Sequence, residues 1–163
     1  MIANLSKENG DGYIQCDDGH LHWGLYGAAG ILLRYHDRVE DLFYLVRRRA
    51  SVNQGIGSCY GIPGGATNMN ESPWDSALRE WDEEVHTVYP ISYEKTIHHN
   101  DHGNWSYTTF LANTSNNQHM CVKNRYEHKF GVWASKEQID LLSKDRQLHP
   151  GFEDTWKLCR DYL

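Results

Sequence analysis

The segment "WGLYGAAGILLRY" (23–35) is apolar at nearly every position. A strand with one wetted face alternates apolar and polar residues, whereas an unbroken apolar run belongs inside a sheet that is covered on both sides. The chain must therefore supply a sheet and cover for each of its faces. "DLFYLVRRR" (41–49), reached through the polar turn "HDRVE", reads as a neighbouring strand. The longest apolar run, Gly24 to Leu33, is too short and too rich in glycine to cross a bilayer.

Further strands are expected at "ISYEKTIHH" (91–99) and "NWSYTTFLANT" (104–114), joined by the turn "NDHG", and at "HKFGVWAS" (128–135). Residues 50–66, with five glycines and a proline, read mostly as loop, as does the polar stretch 115–126. A short helix is expected near 136–144 and a terminal helix over 150–163, where Phe152, Trp156 and Leu163 recur at roughly helical spacing. Residues 1–20 are polar and form a lead-in, and 21–163 make one mixed α/β domain, a size that supports a single core.

The most informative helix lies between. Ser72 is an N-cap, Pro73 suits the first helical position, and Asp75 completes an S-x-x-D capping pattern. Trp74, Ala77, Leu78, Trp81 and Val85 make one apolar stripe. At about 100° per residue, Glu80, Glu83 and Glu84 gather on a different face. A solvated surface is the plainer explanation of such a run. However, Glu80 lies three and four residues from Glu83 and Glu84, and each like-charge pair costs a few tenths of a kcal/mol. The helix dipole also disfavours anions near the C-terminus. Hard divalent cations would turn this repulsion into attraction.

The spacing of the segment resembles the Nudix box, G-x5-E-x7-R-E-U-x-E-E-x-G-U, where U is bulky and apolar. Gly65, Glu71, Arg79, Glu80, Trp81, Glu83 and Glu84 stand in register. If each fixed residue type occurs roughly once in fifteen, six of them coincide by chance about once in ten million. The resemblance covers about residues 20–163 and implies an α/β/α Nudix fold, a mixed sheet between helices. "HWGLYGAAGILL", "HGNWSYTTF" and "LHPGF" also resemble an actinobacterial subgroup. Two positions depart from the box: His86 replaces its final glycine and Thr87 the apolar residue after it. That glycine usually ends the helix in a left-handed conformation, which costs a histidine roughly 1 kcal/mol, so the helix is expected either to strain there or to run on towards Pro90.

By this resemblance the chain hydrolyses a nucleoside diphosphate linked to another group, by water attack at phosphorus, with Mg2+ (or Mn2+) as cofactor. Glu83 and Glu84 are the implied principal metal ligands, with the Gly64 carbonyl beside them. Glu80 is either a further ligand or the general base. Arg79 orients a glutamate such as Glu71, unless it is an ordinary surface cation. Glu127, six residues before Trp133, matches the loop carboxylate that members often recruit. From the residues themselves, Arg47, Arg48 and Arg49 end a strand beside the glycine-rich loop; at least one of them, with Arg47 and Arg49 the leading candidates, is expected to reach a substrate phosphate, unless they merely form a charged strand end. Trp105 and Tyr107 could stack on a base or pack in the core. The alternative function is a catalytically silent Nudix-fold module that binds a nucleotide; its relatives generally lose box glutamates, and here all are present.

Net charge is −6, so an electrostatic grip on duplex nucleic acid is excluded, although phosphate held through a cation is not. The expected partner is a small nucleotide. No membrane is expected, and a homodimer, common in the family, is not demanded by any segment. Cys16, Cys59, Cys121 and Cys159 are scattered without a C-x-x-C pair, so free thiols and a cytoplasmic location are expected. No histidine pair shows a zinc spacing with cysteines: Cys16, His20 and His22 make half a site at best. His98, His99 and His102 read as exposed or substrate-side.

Overall fold

The computed structural model describes residues 8–118 and 120–163. In chain order the elements are β1 (Tyr13–Gln15), β2 (Leu21–Trp23), β3 (Ala28–His36), β4 (Asp41–Arg48), β5 (Cys59–Gly61), β6 (Gly64–Ala66), α1 (Pro73–Glu84), β7 (Val85–His86), β8 (Ser92–Asp101), β9 (Ser106–Thr114), β10 (Cys121–Val122), β11 (His128–Ser135), α2 (Lys136–Lys144) and α3 (Pro150–Cys159). A 3-10 turn, Arg160–Tyr162, follows.

The main sheet runs β11-β4-β3-β9-β8, with β5 added to β4 and β6 to β3. It is mixed, because β3 and β9 are parallel while their other partners are antiparallel. Alternation along β3 and β4 splits the core into two layers. Ile31, Leu33, Tyr44 and Val46 face α1 through Ala77, Trp81 and Val85. Leu32, Phe43 and Leu45 face Ile139 of α2 and Phe152 and Trp156 of α3. The apolar run of β3 is thus explained: both of its faces are dry.

Caps set the helices where the sequence places them. Ser72 Oγ accepts from the Asp75 N–H at 3.1 Å and donates its hydroxyl to the Asp75 carboxylate at 2.7 Å. Ser135 and Gln138 form a reciprocal capping box on α2. α1 does not run on towards Pro90. Val85 caps it in extended backbone, and Val85–His86 pair with Cys121–Val122 as β7 and β10. His86 therefore never enters the left-handed region, and the missing box glycine is accommodated by a strand instead of strain.

The glycine-rich stretch 50–66 is less of a loop than expected, since it contains β5 and β6, which are paired to long strands already in place. The segment expected as a lead-in differs too. Residues 13–23 form the β1–β2 hairpin with Cys16 buried, while residues 1–7 lie outside the described residues. Cys16, Cys59, Cys121 and Cys159 are free, and all but Cys121 are buried. No described helix is long and apolar enough to cross a membrane.

Candidate active site

A cleft of about 380 Å³ opens between α1, β6 and the loop before β11, lined by Gly64, Gly65, Arg79, Glu80, Glu83 and Glu127 among others. Two carboxylates of α1, Glu80 and Glu83, line it and a third, Glu84, does not; each has a different environment. Glu84 is buried; its Oε2 accepts from the Gly64 N–H at 3.2 Å and lies 3.0 Å from His128 Nε2. Glu80 is half-buried, and Glu83 is open to solvent. Burial, aided by the nearby charges of Glu84 and Glu83, raises the Glu80 pKa to about 7 against the opposing pull of Arg79.

Arg79 ties the cluster together. Its guanidinium meets Glu71 through two bonds, Nε to Oε1 at 2.9 Å and Nη2 to Oε2 at 3.0 Å. It also donates to Glu80 at 2.8 Å, to Glu83 at 3.3 Å and to the Ala66 carbonyl at 2.7 Å. The Glu71 pKa is lowered, chiefly by the Arg79 hydrogen bond. Arg79 is therefore no ordinary surface cation: one planar donor fork fixes three carboxylates and the strand edge at once.

Gly65 is where the helix and β6 come closest. A Cβ there would stand 2.4 Å from Glu80 Oε2, so only glycine lets that carboxylate lie against the strand. The exposed Glu127 brings its carboxylate within 4.8 Å of the Glu84 and His128 ligand atoms. The donor set of Glu80, Glu83, Glu84 and Glu127 is rich in hard oxygens, and it suits Mg2+ or Mn2+ better than a soft metal.

Arg47 and Arg49 are not brought to the cleft, and Arg48 lines it instead. Adjacent strand residues point to opposite faces, so Arg47 and Arg49 cannot share the face that Arg48 occupies. The Arg47 guanidinium lies 4.6 Å from the Tyr60 ring centroid, and Arg49 Nε donates to the Arg125 carbonyl at 2.9 Å. Nor do Trp105 and Tyr107 offer a stacking face to the cleft. Trp105 is buried with Cys16 and Ala28, and the Tyr107 hydroxyl sits beneath Gly30 and Gly64, where burial raises its pKa. The aromatic on the cleft wall is Trp23, held edge-on by Tyr13 at 4.9 Å.

Two site residues were not foreseen. Trp23 could have been suspected as a large aromatic at the end of a short strand. His128 has no local signal; it is fully buried, faces Glu84 off the axis of a hydrogen bond, and its Nδ1 has no partner among the described residues. The histidines of β8 and of the turn after it also part ways. His98 meets Thr155 Oγ1 at 2.7 Å and His99 meets Thr108 Oγ1 at 2.9 Å, whereas His102 turns towards the β1–β2 hairpin.

Comparison with known proteins agrees with this geometry. The family model of the NUDIX domain matches residues 25–155. A Mycobacterium tuberculosis protein, named provisionally as 8-oxo-dGTP diphosphatase 3, is 33% identical over 160 residues, covering 94% of this chain and 70% of its own length. A Bifidobacterium longum fusion of a nucleoside triphosphate pyrophosphatase with a Nudix hydrolase is 42% identical over 105 residues, 63% of this chain. The match spans only 22% of that fusion protein's length. The Mycobacterium smegmatis Nudix hydrolase RenU superposes with a TM-score of 0.78 at 28% identity, covering 94% of each chain. With its box in register on α1 and the family domain across most of its length, the chain belongs to the Nudix hydrolase family.

Proposed function

We propose that the chain is a Mg2+-dependent pyrophosphohydrolase acting on a nucleoside diphosphate linked to another group. The observation that carries this reading is the gathering of Glu80, Glu83 and Glu127 on one cleft, with Arg79 braced against Glu71 and the buried Glu84 within 4.8 Å of the Glu127 carboxylate. Glu83, Glu84 and the Gly64 carbonyl would hold the cation, with Glu80 and Glu127 as further ligands. When bound, Mg2+ would neutralise the carboxylates, draw in the substrate's phosphates and stabilise charge on the leaving phosphate.

The chain's own residues supply the remainder. Arg79 fixes the carboxylates before substrate arrives, which lowers the cost of organising them during reaction. Where it does not ligate the cation, Glu80, half-buried and held by Arg79, is the carboxylate that would take a proton from the attacking water. Arg48 is placed to pair with a substrate phosphate, and Trp23 presents an aromatic surface to a base. A cleft of about 380 Å³ suits a nucleotide better than a capped RNA. The named M. tuberculosis relative makes 8-oxo-dGTP a first substrate to try, beside ordinary nucleoside triphosphates and nucleotide sugars.

The test is a panel of those nucleotides incubated with Mg2+ or Mn2+, with monophosphate, phosphate and pyrophosphate as products. Glu83→Gln is expected to lower turnover by at least about 100-fold while the fold survives, because the residue is exposed. Equal turnover in the variant and the parent would overturn the assignment.

A further inference from the structure

Apart from the carboxylate cluster, four side chains from two distant segments meet. Cys16, Asp18 and His22 come from the β1–β2 hairpin, and His102 comes from the turn between β8 and β9. Their ligand atoms, one sulfur, one carboxylate oxygen and two imidazole nitrogens, all lie within 4.8 Å of one another. His22 Nε2 is 3.0 Å from His102 Nδ1, which is itself 2.7 Å from Asp18 Oδ2. We propose that these residues form a Zn2+ site, separate from the box cations, that fastens the hairpin to the β8–β9 turn.

Hydrogen bonding alone leaves this arrangement awkward. His102 Nδ1 faces both a carboxylate, which needs an N–H, and the Nε2 of a second imidazole. A lone pair on Nδ1 would repel Asp18, while a proton on Nδ1 must be shared between both neighbours. A cation at their common point satisfies all of them. One thiolate, one carboxylate and two neutral imidazoles also cancel the charge of Zn2+. Bond lengths of about 2.0–2.3 Å to zinc imply ligand separations of roughly 3.3–3.8 Å, so small side-chain shifts from the observed 2.7–3.0 Å pairs close a tetrahedron.

The surroundings hold the ligands in place without metal. The His22 ring stacks on buried Trp105 at 4.1 Å and 9°, and Trp105 Nε1 donates to the Trp23 carbonyl at 3.1 Å. Asn104 bridges the two segments, accepting from the Asp17 N–H at 3.1 Å and donating to the Gln15 carbonyl at 3.1 Å. Gly103, at φ +81, passes where a Cβ would stand 2.3 Å from Asp17 Oδ2. Such support is what a preorganised metal site requires. Four protein ligands leave no open position, so the role is structural. The hairpin it holds carries Trp23 and with it one wall of the cleft.

Cobalt(II) distinguishes this site from the box, because thiolate in a tetrahedral set gives a near-ultraviolet charge-transfer band and intense visible bands, whereas all-oxygen octahedral sites give neither. Metal-depleted full-length protein titrated with Co2+ should show both features, saturating at one ion per chain, and Zn2+ should abolish them. Cys16→Ser should lose the charge-transfer band, and Glu83→Gln should keep it. Absence of the thiolate band from the parent protein at saturating Co2+, or its persistence in Cys16→Ser, would overturn the proposal. Neither readout depends on hydrolytic activity, so failure here leaves the proposed reaction standing.

Discussion

Gly64 and Gly65 are neighbours in β6, yet their lack of a side chain serves different purposes. At Gly64 a Cβ would meet the backbone, with the Ala29 carbonyl oxygen at 2.4 Å and Gly30 Cα at 2.6 Å. At Gly65 it would meet only the end of a flexible side chain, the Glu80 carboxylate. Gly64→Ala is therefore expected to lower stability by about 1–3 kcal/mol, because the sheet must shift. Gly65→Ala is expected to leave the melting temperature nearly unchanged while displacing Glu80 and reducing turnover by about 100-fold. Thermal melts and initial rates on the two variants check this split; a Gly65→Ala protein with full activity would show that the Glu80 position is not needed. At this scale the box was legible because its residues recur within one helix and its approach, where spacing fixes geometry. The cleft-facing arginine was not, since Arg47, Arg48 and Arg49 differ only in parity, and parity is set by which face of β4 meets the cleft.

Elements with their own start and stop signals were readable, and those built by a partner were not. α1, α2 and β11 fall at their sequence-read positions because caps and periodicity are local. β5, β6, β7 and β10 are two or three residues long, too short for any period, and exist only through pairing. α3 shows how a cap can also carry a pH response. His149 precedes Pro150, and its Nδ1 accepts from the Gly151 N–H at 3.2 Å, which requires a neutral ring. Burial, with Arg48 adding repulsion, depresses its pKa from 6.5 to about 4. Below pH 6.5 the unfolded chain takes up a proton that the folded chain refuses, so this contribution is full above pH 6.5 and falls with pH until about 4. His149→Asn keeps a capping acceptor but does not titrate. Its unfolding free energy should change less than the parent's across that window in urea titrations at a series of pH values, and parallel curves would rule the histidine out as the source.

Across the whole molecule, contacts between distant segments decide what the chain can do. The pairing of the hairpin with the β8–β9 turn joins His22 to His102, 80 positions apart, and no local pattern announces it. The same scale governs the energetics of the acidic cleft. The chain carries a net charge of −6, and α1 places Glu80, Glu83 and Glu84 together, with Arg79 bonded to Glu80 and Glu83 as partial compensation. Without a cation, folding must hold these carboxylates on one helix and bury Glu84; in the unfolded chain they are hydrated and free to turn away from one another. Mg2+ that binds the folded cleft and not the unfolded chain stabilises by mass action, about 2.7 kcal/mol at one hundred times its dissociation constant. For a chain of this size that corresponds to a rise of roughly 5–10 °C in melting temperature. Calorimetry in chelator-free buffer, with Mg2+ titrated against NaCl at matched ionic strength, separates specific binding from screening. The rise is expected with Mg2+ alone, and it should shrink in Glu83→Gln, which removes a ligand and also relieves part of the repulsion. An equal rise with NaCl would mean that general screening, and no bound ion, offsets the charge of the cluster.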